Sequence, residues 1–319
     1  MAILNSYEIF RMHNSAERYF WACYQLFVGL SSIIGDSLIL VASRRKDSFK
    51  LNNFLVTIMR HIAACDITIS ITHILPSALT LVADSWVLGD ILCYANTYFI
   101  HYFYPANMSL ICILTTSKLL LLTRPLRARS LSRKKGHLVC CIMWATSLVY
   151  PVLMYVFGRE DVTFDYRTYI CEYGWNANPW RKIQPVIFVV GGVVPNAVVI
   201  LTTVPTLKYL VAARESAKRT RGSVPWQGAL TVTLTAAVYC LSTLPVTVYY
   251  VGIVFIEMES NSATEDPYHF HQLYRYGFFI VMINITSNFF IYTLTITSFR
   301  RYLLSKIVHI SAYHRYSSR

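Results

Sequence analysis

Two carboxylates stand in stretches that are otherwise apolar: Asp36 within Gly35-Asp36-Ser37-Leu38-Ile39, and Asp66 within Ala63-Ala64-Cys65-Asp66-Ile67. Paired intramembrane aspartates can act as an acid–base couple on a peptide bond. Gly35-Asp36 is only half of such a pattern, and the zinc-protease spacing HExxH is absent. A retinal Schiff base needs a lysine in the last apolar stretch, and residues 273–297 contain none. The eight cysteines include no CxxC pair and no zinc spacing, and Cys140 and Cys141 adjoin within an apolar run. No catalytic constellation and no firm metal site emerges, so the chain does not read as an enzyme. What the aspartates do depends on the elements that hold them.

Those elements are membrane helices. Hydrophobic residues make up 55% of the 319 and charged residues only 14%, with a mean hydropathy of +0.43. A soluble domain carries about 25% charged residues. A bilayer core about 30 Å thick needs about 20 apolar residues in a helix. Stretches of that length run from about Phe20 to Ser43, Phe54 to Ala83, Ile91 to Thr123, His137 to Phe157, Ile183 to Leu210, Gln227 to Ile256 and Leu273 to Thr297. This predicts an all-α membrane protein, a seven-transmembrane-helix bundle over 20–297. It is flanked by an extracellular tail (1–19) and a cytoplasmic segment (298–319). A bare charge inside a bilayer costs roughly 3 kcal/mol or more, so Asp36 and Asp66 should face the bundle interior. Arg60 and His61, near the inner end of the second stretch, are expected to reach toward the headgroups.

Charge sets the orientation. The net charge is +13. With the N-terminus extracellular, the loops and tail on the cytoplasmic side sum to +18 and the exterior to −5. That is a positive-inside pattern. It accounts for the basic excess without a nucleic-acid partner. Glu160, Asp161, Asp165, Glu172, Glu257, Glu259, Glu265 and Asp266 leave an acidic outer face that could steer a basic peptide, although positive-inside topology produces the same face. After the last stretch, Ser298-Phe299-Arg300-Arg301-Tyr302-Leu303-Leu304 predicts a short amphipathic helix on the inner membrane surface.

An odd number of helices without internal repeats speaks against a transporter, and no pore-lining ring or filter motif suggests a channel. Landmarks in order along the chain resemble the rhodopsin-like (class A) G-protein-coupled receptor family. They are Gly35-Asp36, Ile62-Ala63-Ala64-Cys65-Asp66, Trp86, Gly89, Cys93, Pro125-Leu126, Trp144, Cys171, Pro195, Pro245 and Asn288-Phe289-Phe290-Ile291-Tyr292. The last of these, followed by Phe299-Arg300, is similar to invertebrate neuropeptide receptors of the FMRFamide type. The chain departs from the family at four places. Ser117-Lys118 stands where the family has Asp-Arg, Thr243 at the helix-six aromatic position, Phe289 at the helix-seven proline, and Asp36 in place of Asn.

The resemblance implies a multi-pass plasma-membrane receptor for an extracellular ligand, most simply a peptide, signalling through a heterotrimeric G protein. The rival reading is a non-signalling protein on the same fold, a decoy or trafficking scaffold. Cys93 and Cys171 are the two cysteines expected outside, where thiols oxidise, so a Cys93–Cys171 disulfide is expected. Asn107, Asn284 and Asn288 match positions that line the family's sodium pocket, with Asp36 and Asp66. A Na+ site and a water-filled cluster with shared protons both remain open there. The ligand pocket is expected at Ile100, His101 and Tyr104, within the aromatic run from Tyr98 to Tyr104, and at Thr243 of the sixth stretch. Ile100 replaces the aspartate that pairs with monoamines. G-protein contact is expected at Lys118 and Tyr292.

Overall fold

The computed structural model describes residues 11–12, 14–45, 49, 51–124, 126, 130–158, 162–173, 180–220, 226–259 and 268–306. Glu8, Asp47, Pro125, Glu160, Asp161, Glu265, Asp266 and residues 307–319 lie outside these, as do the side chains of Glu257 and Glu259.

Among the described residues, seven helices are long and apolar enough to cross a membrane. They are α1 (Ser15–Ala42), α2 (Asn53–Ala83), α3 (Asp90–Thr123), α4 (Arg133–Val156), α5 (Trp180–Thr220), α6 (Trp226–Glu259) and α7 (Gln272–Thr295). A further helical stretch, α8, covers 297–306. Large apolar side chains such as Phe27, Ile34, Ile71, Leu201, Leu241 and Leu294 point outward and are exposed. Asp36 and Asp66 are fully buried. An apolar exterior around a polar interior suits a hydrocarbon solvent.

Local chemistry sets several helix ends. Asn14 caps α1, its Oδ1 accepting the Ala16 N–H at 3.0 Å, and Glu17 sits in the first turn, so α1 starts at Ser15 rather than near Phe20. Gly89 has φ +79°, which glycine adopts at little cost; its carbonyl accepts the Trp86 indole at 2.8 Å and the Cys93 amide at 3.1 Å as α3 begins.

Prolines and their compensations shape the interior. Pro76 has no N–H to offer the Thr72 carbonyl one turn back. The chain opens into a π turn over Ser70–Ile74, and Asn96 Nδ2 of α3 donates to that carbonyl at 2.6 Å. Pro105 and Pro245 lie inside α3 and α6. A Cβ on Gly277 of α7 would come within 2.9 Å of the Pro245 ring, so α7 lies close against the α6 proline. Without a proline at 289, α7 breaks instead at Met282, where i→i+3 bonds run from Met282 N to Phe279 O (3.3 Å) and from Ile285 N to Met282 O (3.1 Å).

Strands β1 (Val162–Asp165) and β2 (Ile170–Tyr173) form an antiparallel hairpin, Thr163 opposite Glu172 and Phe164 opposite Cys171. Cys93 and Cys171 are joined, with Cα atoms 5.3 Å apart. Thr97 Oγ1 also donates to the Cys171 carbonyl at 2.7 Å. The hairpin is therefore fixed to α3 beside the bundle mouth. At the other end Phe299 of α8 is buried and stacks on Phe49 at 5.0 Å, while Arg300 and Arg301 are exposed.

Candidate functional site

Beneath the hairpin lies a chamber of about 200 Å³ between α3, α4, α6 and α7. Ile100, His101, Tyr104 and Thr243, the residues expected from sequence, all line it. So do Pro105 and Met108, because these α3 positions share one helical face. The other aromatic residues of that run turn elsewhere. Tyr98 packs on Tyr155, Tyr102 and Phe103 pack on Trp144, and Phe99 is exposed. His101 Nδ1 donates to the Thr97 carbonyl at 2.7 Å. Thr243 Oγ1 donates to Asn196 Oδ1 of α5 at 2.8 Å, and Asn196 Nδ2 donates to Thr247 Oγ1 at 3.2 Å. The chamber floor thus ties α5 to α6 on either side of Pro245.

The most polar part of the lining is not apparent from the sequence. Glu172, carried by β2, accepts the Tyr274 hydroxyl (3.0 and 3.1 Å to its two oxygens), and Tyr250 donates to Tyr274 at 3.1 Å. Burial, with the charge of Asp165 added, pushes the Glu172 carboxyl up to about 7; Arg167 and the hydroxyls of Tyr274 and Thr168 offset this in part. Arg167 is clamped on Asp165, with Nε to Oδ2 at 2.8 Å and Nη2 to Oδ2 at 2.5 Å. Tyr249 and Tyr274 stack at 4.5 Å, so α6 and α7 meet through aromatic faces. A single acid next to a disulfide cysteine gives no sequence pattern, and the tyrosines come from separate helices.

Midway along the bundle, Asp66 accepts from Asn107 Nδ2 and, at 2.8 Å, from Asn288 Nδ2. Asp36 accepts from Ser32 at 2.7 Å and lies within electrostatic range of Asp66. The buried oxygens Asp36 Oδ1, Asn107 Oδ1, Asn284 Oδ1 and Asn288 Oδ1 have no hydrogen-bond partner. These are hard oxygen donors of the kind that hold a small cation, so the residues fit Na+ as well as they fit water. Tyr292 is buried nearby with its hydroxyl unpartnered.

Toward the end opposite the hairpin, Lys118 is 6% exposed, so its ammonium is turned into the bundle. Thr231 of α6 and Thr295 of α7 share a hydrogen bond of 2.7 Å. His61 does not reach outward as the sequence suggested. Trp144 Nε1 donates to His61 Nδ1 at 3.2 Å, and His61 Nε2 then faces His137 Nδ1 at 3.1 Å. Partners on α4 hold the half-buried ring against that helix, which a single helix cannot reveal. Arg60 is partly exposed.

A seven-helix bundle with a lined chamber under a disulfide-fixed hairpin defines a membrane receptor architecture. The sequence matches the 7 transmembrane receptor (rhodopsin family) over residues 35–292, and the chain belongs to that family. Among curated relatives, galanin receptor 2b of Danio rerio is 24% identical over 74% of this chain and 62% of its own length. Galanin receptor type 2 of Homo sapiens is 24% identical over 68% of this chain and 56% of its own. The chain therefore spans about three-fifths of the length of these relatives. Squid rhodopsin superposes with a TM-score of 0.75 at 12% identity, covering 95% of this chain and 89% of that one, a likeness of fold. The chain is a multi-pass plasma-membrane protein.

Proposed function

We propose that the protein is a receptor for an extracellular peptide and signals through a heterotrimeric G protein. The observation that carries this is the chamber's size and position. Pockets for whole drug-sized ligands enclose roughly 300–1,000 Å³. A volume of about 200 Å³ open beneath the hairpin suits the end or a side chain of a larger ligand. The relatives named as galanin receptors, galanin being a peptide, support the class of ligand, and at 24% identity they do not assign galanin itself. The likeness to FMRFamide-type receptors rests on the Asn288–Tyr292 segment and Phe299-Arg300 alone.

In this reading the hairpin end faces outward, as the charge asymmetry implies. A peptide group entering the chamber meets Thr243 and the α5–α6 bonds around Asn196. Displacing them lets α6 pivot near Pro245, part Thr231 from Thr295, and open a cleft that exposes Lys118 to the transducer. Asp66, Asn107, Asn284 and Asn288 would be the residues to hold Na+, whose charge would balance the buried carboxylates. Ligand-stimulated nucleotide exchange, measured over a panel of G proteins against a neuropeptide library, tests the proposal. A second reading, a non-signalling receptor on the same fold, is favoured by Ser117-Lys118 in place of Asp-Arg, and a ligand that binds without exchange would select it.

A further inference from the structure

We infer that the chamber selects a basic group on its ligand, an amine or guanidinium flanked by apolar or aromatic atoms, with Glu172 as its counter-ion. The inference rests on the chamber being the ligand site. Among the described residues lining it, Glu172 is the only carboxylate, and no lysine or arginine is present. Around that carboxylate stand the rings of Tyr150, Tyr250 and Tyr274, whose faces attract cations. An anionic group entering here would meet a like charge and no counter-ion in the lining.

The placement of Glu172 is rigid. Its neighbour Cys171 is bonded to Cys93 and accepts from Thr97, and its strand pairs with β1. The carboxylate has about four acceptor sites, and the Tyr274 hydroxyl occupies part of them. The groups that face it are known from each packed element. β1 brings Asp165, the turn Arg167, α3 His101, α4 Tyr150, α6 Tyr250, and α7 Tyr274 with Arg275 behind it. Arg167 is engaged by Asp165, and Arg275 donates to the Arg167 and Tyr166 carbonyls (3.3 and 3.5 Å). The fork of Arg167 is aligned on Asp165, while its charge also acts on Glu172 and offsets part of the effect of burial there. A ligand cation favours the ionised carboxyl. Since that group titrates at about 7, selection for cations strengthens as pH rises through neutrality and then levels off.

The test places a thiol in the chamber with Val246→Cys and compares three methanethiosulfonates on the full chain in membranes. These carry a trimethylammonium, a sulfonate or a neutral methyl group, and the unsubstituted chain gives the background from native cysteines. The expected result at pH 8 is a trimethylammonium-to-sulfonate rate ratio about tenfold or more above the ratio the same reagents give with a free thiol such as 2-mercaptoethanol, whose thiolate already favours the cation. That excess should shrink as pH falls below about 7, and the ratio should fall back toward the free-thiol value in Val246→Cys/Glu172→Gln. An unchanged neutral-reagent rate in that double variant shows the chamber intact. A ratio unaffected by Glu172→Gln, or one favouring the sulfonate, overturns the inference while leaving the chamber reading in place. No reaction with the neutral reagent overturns the open chamber and the inference with it.

Discussion

Gly35 of α1 lies directly against Phe289 of α7: a Cβ on Gly35 would overlap the Phe289 ring and sit 2.6 Å from its Cβ. Phe289 is the residue at the helix-seven proline position, so the ring that replaces the proline occupies space that only a glycine leaves open. Gly35→Ala should therefore destabilise the bundle by about 1–3 kcal/mol through overpacking. Adding Phe289→Ala should recover much of that loss, since the two sites share one contact. Thermal unfolding of detergent-purified protein reads both effects, and purely additive losses would show that the residues do not meet.

The π turn in α2 yields a second coupled pair. Removing the amide with Asn96→Leu takes its side-chain donor from the part-buried Thr72 carbonyl, a loss of about 1–3 kcal/mol. With Pro76→Ala in the background, a restored backbone N–H can reach that carbonyl, and the same Asn96→Leu change should cost clearly less. An equal cost in both backgrounds would mean that Asn96 does not compensate for the proline.

Much of this was readable from the chain. The helices follow from apolar runs, and the interior positions of Asp36 and Asp66 from the cost of a lipid-facing charge. The Cys93–Cys171 pairing and the α3 face of the chamber came through the family's motif order. Glu172 was legible only as one of the outer-face acids; that it meets Tyr150, Tyr250 and Tyr274 in the chamber was not, because they converge from separate elements and each is ordinary in its own segment. The His61–His137–Trp144 relay and the break of α7 at Met282 depend on cross-helix packing, which periodicity within one helix does not encode.

The polar pocket makes the two aspartates unequal. Asp66 receives hydrogen bonds from α3 and α7, whereas Asp36 receives one from its own helix. Asp66→Asn should shift agonist dose–response curves and their sodium dependence more than Asp36→Asn does. Equal shifts, with no sodium dependence in the unsubstituted protein, would favour the water cluster.

Acid should loosen the N-terminal segment. Burial would raise the Asp84 carboxyl, but the hydrogen bond from Arg11, the charges of Arg18 and Arg11 and the Tyr169 hydroxyl outweigh it and hold the group below its ordinary value. A depressed folded value stabilises the tethered form above the unfolded pKa of about 3.9. That stabilisation is lost as pH falls through the folded value. Hydrogen exchange at the Met12 amide, which donates to Tyr169 at 3.0 Å, should accelerate below about pH 4 beyond the change in intrinsic rate. Asp84→Asn should show the fast exchange at neutral pH, and slow exchange in that variant would refute the tether.

Lys118 offers one flexible ammonium where the family has a planar five-donor guanidinium. Lys118→Arg should strengthen coupling and Lys118→Ala should abolish it at unchanged surface expression. Normal signalling by Lys118→Ala would remove this position from the transducer contact.

The central claim is that a ligand entering the chamber under the β1–β2 hairpin drives G-protein activation through α6. Its most direct test is peptide-stimulated GTP exchange by purified heterotrimers, compared between the unsubstituted chain and a variant whose chamber is filled by Thr247→Trp. The account predicts exchange that a peptide stimulates several-fold and that the filled chamber eliminates while surface expression persists. Stimulation that survives Thr247→Trp, or a tightly bound peptide that stimulates no heterotrimer, would contradict it.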